Sequence, residues 1–183
     1  MPLDIGFGIL STIFLARATS LPLNFLTVLS GIVFALLPDL DFLAHLARRK
    51  ADAFSHEHRN LLHNPLLFIP IGFIILAFIN VGLAYLFAFC SFIHFLHDSI
   101  GMGWGIRWAY PFSKKYYKFF SDKRGGMANV FLTSWTPEEQ KRAALQFGNP
   151  HWLVHYLKFS REFLMELLVL AISIGFLVYT WPH

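Results

Sequence analysis

Charge and cysteine are what this sequence lacks. Only 14% of its 183 residues are Asp, Glu, Lys or Arg, 56% are hydrophobic, and the mean hydropathy is +0.52. Soluble domains carry roughly 25% charged residues, so a water-soluble globular chain is excluded and an integral membrane protein is expected. The one cysteine, Cys90, sits in an apolar run, which excludes a disulfide framework and a thiolate metal site. A cation ahead of the first apolar run is missing too. Asp4 stands there instead, the wrong sign for the n-region of a secretory signal, so the first segment is read as a retained membrane segment. There is no internal repeat and no low-complexity tract.

What is there is a series of apolar segments. Ile5 to Ala18 is short for a span, and could be a short helix, a re-entrant element or a tilted partner of the next segment. Thr19, Ser20 and Pro22 then supply a cap and a helix-start proline for a second helix, Leu21 to about Leu43. Leu61 to Ile79 is a third span with Pro65 and Pro70 near its start, and Asn80-Val81-Gly82 is a tight turn. The fourth span ends in Phe92-Ile-His94-Phe-Leu-His97-Asp98, and a fifth runs from about Phe163 to Tyr179. The expected fold is an all-α membrane protein of about five transmembrane helices, with an amphipathic interfacial insertion between helices four and five. The chain reads as one domain, 1–183: residues 1–101 carry the metal motifs, 102–160 the polar insertion and 161–181 the last span.

Within the insertion, rings alternate with cations from Trp104 through Arg107, Trp108 and Tyr110 to Lys118, Phe119 and Phe120. Such a run lies in the headgroup layer, rings in the interface and cations toward anionic lipid. It is read as a membrane-surface helix, in preference to a nucleic-acid strip. Thr136-Pro137-Glu138-Glu139 is a capping box with proline at the first helical position. With five spans, residues 44–60 and the insertion fall on one side, and every Lys and Arg of the 15 except Arg17 lies there or at its edge. The positive-inside rule makes that side cytoplasmic, with the N-terminus inside and the C-terminus outside in a cell inner membrane.

That topology gathers distant polar residues in one layer. Asp39 and Asp41 end the second span, His58 and His63 open the third, His94, His97 and Asp98 end the fourth, and Asp4 opens the first. His94 and Asp98, four apart on a helix, share a face. Ionisable groups at membrane depth are costly and usually functional. Carboxylates with imidazoles suit a divalent metal, zinc foremost, then manganese or iron, with magnesium less suited. Six or seven donors exceed the need of one tetrahedral ion, so one or two ions fit, with a bound water made nucleophilic near neutral pH. Asp39, Asp41, His58, His63, His94 and Asp98 form the ligand set, with Asp4 and His97 beside it. Asp41 or Asp4, if not ligating, can act as general base, and Arg59 and Arg107 can clamp an anionic group. His56-Glu57 fails the zincin pattern because residue 60 is Asn, and His45, His56, His151 and His155 read as surface.

These residues also carry a resemblance. Leu-Leu-Pro-Asp39-Leu-Asp41, His58-Arg59-x-x-x-His63, His94-x-x-x-Asp98-x-x-Gly101 and Tyr110-Pro111-Phe112-Ser113 together resemble the YdjM/YbcI-type family of predicted membrane-bound metal-dependent hydrolases. The resemblance covers roughly residues 4 to 113, and four motifs agree in order and spacing. It implies a multi-span inner-membrane protein whose Asp and His residues hold metal, with remote kinship to zinc-dependent phospholipase C and P1-type nucleases. The expected function is a metal-dependent hydrolase at the cytoplasmic face, acting on a phosphoester of a lipid or lipid-linked carrier. The competing expectation is a metal-binding membrane protein without turnover, a transporter or an ion-stabilised scaffold.

Overall fold

The computed structural model describes residues 1–42, 62–100, 103–149, 151–158 and 160–182. His58 and Arg59, with His45 and His56, lie outside the described residues. The chain forms two compact units: Met1–Pro38 with Ile69–His94 and Tyr156–His183, and Asp39–Phe68 with Phe95–His155. The division falls inside one continuous helix, between His94 and Phe95.

The first unit is helical. α1 (Pro2–Ala18) packs on α2 (Phe25–Leu36) and on α7 (Arg161–Thr180). α2 begins at Asn24, whose side chain accepts from Thr27 N while the Thr27 hydroxyl accepts from Asn24 N, a reciprocal cap that fixes the first turn. The α1–α2 crossing depends on glycine. A Cβ on Gly8 would lie 2.7 Å from Gly31 O, and one on Gly31 would lie 2.1 Å from Thr12 Oγ1, the close backbone approach that small residues allow between membrane helices. Gly72 of α3 (Pro65–Ala77) likewise faces the Phe87 ring of α4 (Val81–Ile100). Leu21, Ala35, Leu86 and Cys90 make one apolar cluster and Ile9, Ile13 and Val28 another. α7 is capped by Ser160 and leaves Met165, Leu168, Ile172 and Val178 exposed, as a lipid-facing helix does.

Among the described residues, three helices are long and apolar enough to cross a membrane: Phe25–Phe42, which continues α2 through a 3₁₀ turn at Leu37–Asp39, then α4 and α7. α1 has 17 residues and α3 has 13.

The second unit corrects the all-α expectation. Residues 116–120, the end of the run read as a surface helix, lie instead in an antiparallel hairpin, β1 (Tyr116–Ser121) with β2 (Met127–Trp135), pairing Tyr116 with Trp135 and Phe119 with Leu132. The physical reason is a period of two: Tyr116 and Lys118 point inward on alternate positions. Lys118 is buried because Nζ donates to Gly103 O and Gly125 O, each at 2.8 Å, so the cation is satisfied without water. Asp122 Oδ1 accepts from Arg124 N and Gly126 N to close the turn. Gly125, at φ 81, brings its backbone against the Trp104 ring. The capping box reads as expected: Thr136 and Glu139 cap α5 (Pro137–Phe147), with Pro137 at its first turn. α6 (Trp152–Leu157) follows.

Candidate metal centre

The second unit assembles three carboxylates around one imidazole. Asp39 closes the 3₁₀ turn, and Asp41, buried, follows two residues on. His63 immediately precedes Asn64, whose carbonyl accepts from Leu67 N and Phe68 N at the start of α3, so the helix start fixes where the imidazole lies. The ring of His63 is fully buried, edge-on to Phe95, which also meets Phe68. Asp98 comes from α4. His63 Nδ1 lies 3.2 Å from Asp41 Oδ2, and Nε2 lies 3.1 Å from Asp98 Oδ2 and 3.7 Å from Asp39 Oδ1.

Burial lowers the proton affinity of His63, but hydrogen bonds from Asp39, Asp41 and Asp98 and the charge of Asp98 outweigh it, so its pKa is pushed up to about 10. So much negative charge around one ring is equally an environment for a metal cation. Two donors bonded at about 2.0–2.1 Å to a tetrahedral ion lie roughly 3.3–3.4 Å apart, and the two Nε2 distances bracket that spacing. Asp41 Oδ2 also accepts from Leu62 N at 3.1 Å, while Asp41 Oδ1 is buried with no hydrogen-bond partner among the described residues. An orphaned buried carboxylate oxygen calls for a proton, a water or an ion.

In the first unit, His94 is buried in α4 with Nδ1 3.0 Å from Asp4 Oδ1 at the start of α1. Asp4 Oδ2 lies 3.0 Å from the Met1 nitrogen. Glu166 of α7 accepts from Leu3 N at 3.5 Å and from the Tyr156 hydroxyl at 2.5 Å. Burial, followed by the neighbouring Glu166 carboxylate, raises the Tyr156 pKa. Sequence reading passed over Glu166, although a lone carboxylate in an apolar span is itself a signal.

Asp39, His63 and His94 each offer a ligand atom within 4.8 Å of the others, a group that can hold a metal ion. Of the other expected site residues, Asp41 and Asp98 contact His63 and Asp4 contacts His94. His97 is half-buried one turn after His94 and outside that group. Arg107 lies over Tyr110 and Tyr116, at 4.7 and 5.8 Å from the ring centres. Nearby, Trp108 Nε1 donates to Ser99 Oγ at 2.7 Å, tying the loop after α4 to that helix.

The family model described as YdjM inner membrane protein matches residues 4–183. No curated protein and no solved structure matches the chain.

Proposed function

Because the chain belongs to the YdjM inner membrane protein family, we propose that it is a membrane-embedded metal-dependent hydrolase with its site at the cytoplasmic face. The observation that carries this reading is the gathering of Asp39, His63 and His94, with ligand atoms within 4.8 Å of one another. His63, His94, Asp39 and Asp98 are the proposed ligands, and His58 is a further candidate. An imidazole–carboxylate donor set favours zinc, with manganese or iron as the next fit. A divalent ion held there supplies Lewis acidity and makes a water nucleophilic near neutral pH.

The chain's own residues do the rest. Asp41, whose Oδ2 lies 3.2 Å from His63 Nδ1, holds that imidazole with Nε2 toward Asp98 and Asp39. That place, across the ring from the ligating nitrogen, suits orienting His63 rather than the general-base role expected of Asp41. Arg107, whose guanidinium lies over the Tyr110 and Tyr116 rings, is a candidate to clamp an anionic group, and Arg59 is a second. The substrate proposed is a phosphoester of a lipid or lipid-linked carrier. Support comes from the insertion, where Phe112, Lys114 and Lys115 ahead of β1 and Arg124, Met127 and Phe131 in the hairpin are exposed, a composition that suits anionic headgroups.

A second reading, an ion-stabilised scaffold, draws on the number of donors, since four protein ligands close a tetrahedral site. Against it, Asp39 keeps 19% of its side-chain surface accessible while His63 keeps none, and a partly accessible ligand suits a site that takes water better than a closed one.

Elemental analysis of the purified protein tests the site. The parent should carry a divalent metal that Asp39→Ala and His94→Ala lose, and equal metal content in all three would sink the assignment. Release of phosphate or headgroup from phospholipid vesicles, abolished by chelation and restored by metal, separates the hydrolase from the scaffold.

A further inference from the structure

We infer that Asp4 is a positioning residue: its carboxylate holds Nδ1 of His94, so that the other ring nitrogen, Nε2, is the atom turned toward the cation. This rests on the metal-centre reading above and assigns Asp4, which the sequence offers as a ligand, to a different task.

The argument starts from the ring. A neutral imidazole carries one N–H and one lone pair, and whichever nitrogen donates leaves the other to ligate. The two groups are 90 positions apart in the chain, both about 2% exposed, and 3.0 Å from each other. A buried carboxylate facing Nδ1 fixes the Nδ1–H tautomer, since a carboxylate oxygen accepts and does not donate when ionised. It also fixes the plane of the ring and makes Nε2 a stronger donor, the arrangement by which carboxylates orient metal-bound histidines.

The second histidine repeats the pattern from unrelated residues. His63 has Nδ1 on Asp41 Oδ2 at 3.2 Å and turns Nε2 toward Asp98 and Asp39, at 3.1 and 3.7 Å. Each imidazole therefore has a carboxylate on the same ring nitrogen, and at His63 the opposite nitrogen faces the other acidic groups. Asp4 starts α1 and His94 lies within α4, so the same contact also sets the rotation of α4 against the first turn of α1.

Cobalt(II) titration of the purified protein in detergent, followed by its ligand-field absorption, tests the assignment. Asp4→Ala should weaken cobalt binding roughly 10–100-fold while keeping the parent's band positions, and Asp4→Asn, whose amide oxygen can still accept from Nδ1, should lose less. Asp39→Asn, at a proposed ligand, should move the bands. Binding by Asp4→Ala equal to the parent, or bands displaced as in Asp39→Asn, would overturn the assignment and leave the metal centre standing. A parent that binds neither cobalt nor zinc removes the metal centre itself. In zinc-loaded protein labelled with ¹⁵N-histidine, which needs no variant to fold, His94 should show zinc at Nε2 and a proton at Nδ1. Zinc at Nδ1 overturns the proposal.

Discussion

His63 shows how one side chain can be matched to two cations. In metal-free protein its pKa is pushed up to about 10 from 6.5, because the hydrogen bonds of three carboxylates prevail over burial. A group whose pKa is higher folded than unfolded stabilises the fold while it is protonated. That contribution is complete below pH 6.5 and is lost as pH rises toward 10. Chelator-treated protein should therefore lose melting temperature across that interval, and His63→Gln should flatten the slope. Metal-loaded protein should behave differently, because the ion replaces the proton among the same carboxylates and displaces it on binding. A chelator-treated parent with the same pH slope as His63→Gln would refute the account. Asp39, His63 and His94, whose ligand atoms lie within 4.8 Å of one another, could be singled out in the sequence because ionisable groups at the ends of apolar runs are costly there. Which carboxylate meets which nitrogen was not legible. The Asp4–His94 and Asp41–His63 pairings join residues 90 and 22 positions apart, and no local spacing encodes that.

At the scale of elements, periodicity was a good guide wherever one face of a helix had one kind of neighbour. The Thr136–Glu139 cap and the apolar helices were readable because each depends on residues a few positions apart. The hairpin was not, because an inward lysine breaks the apolar alternation that marks a strand. Lys118 is as buried as its neighbour Tyr116 only by virtue of the carbonyls of Gly103 and Gly125, which lie on other segments. Asp122-Lys-Arg-Gly125-Gly126 was the available turn signal. The α1–α2 crossing is a sharper test of what an element needs. A methyl group on Gly31 would meet Thr12 Oγ1 at 2.1 Å and Gly8 O at 2.7 Å, and the second of these is backbone that cannot rotate away. Gly31→Ala should cost about 1–3 kcal/mol, as overpacking does, read as a lower unfolding midpoint in detergent. Gly175→Ala is the control, since a Cβ there meets nothing within 4 Å. Equal midpoints for both variants would mean that α1 and α2 do not approach so closely.

For the whole molecule, the number of bilayer crossings decides on which side each basic segment lies. Among the described residues three helices are long enough by themselves, and α3, at 13 residues, reaches only about 20 Å at 1.5 Å per residue against a hydrocarbon core of about 30 Å. Connectivity nevertheless argues that α3 crosses. Asp41 ends the helix begun by α2, His63 precedes α3, and Asp98 lies near the end of α4, and these three side chains touch. The chain therefore leaves the cluster along α3 and returns to it along α4, whose length from Val81 to Asp98 is about 25 Å of helix. A short span that thins the bilayer locally would connect those points, and a proline near its start with polar neighbours before it suits one. If α3 crosses, residues 44–60 and the insertion 101–160 share a side, and the positive-inside rule makes it the cytoplasm. If it does not, those two basic segments lie on opposite sides. Single cysteines at Ser55 and Lys115, on a Cys90→Ser background, should both react with an impermeant maleimide in inverted vesicles and neither in intact spheroplasts. A cysteine at Trp181 should show the reverse, and labelling of Ser55→Cys and Lys115→Cys from opposite sides would refute the crossing of α3.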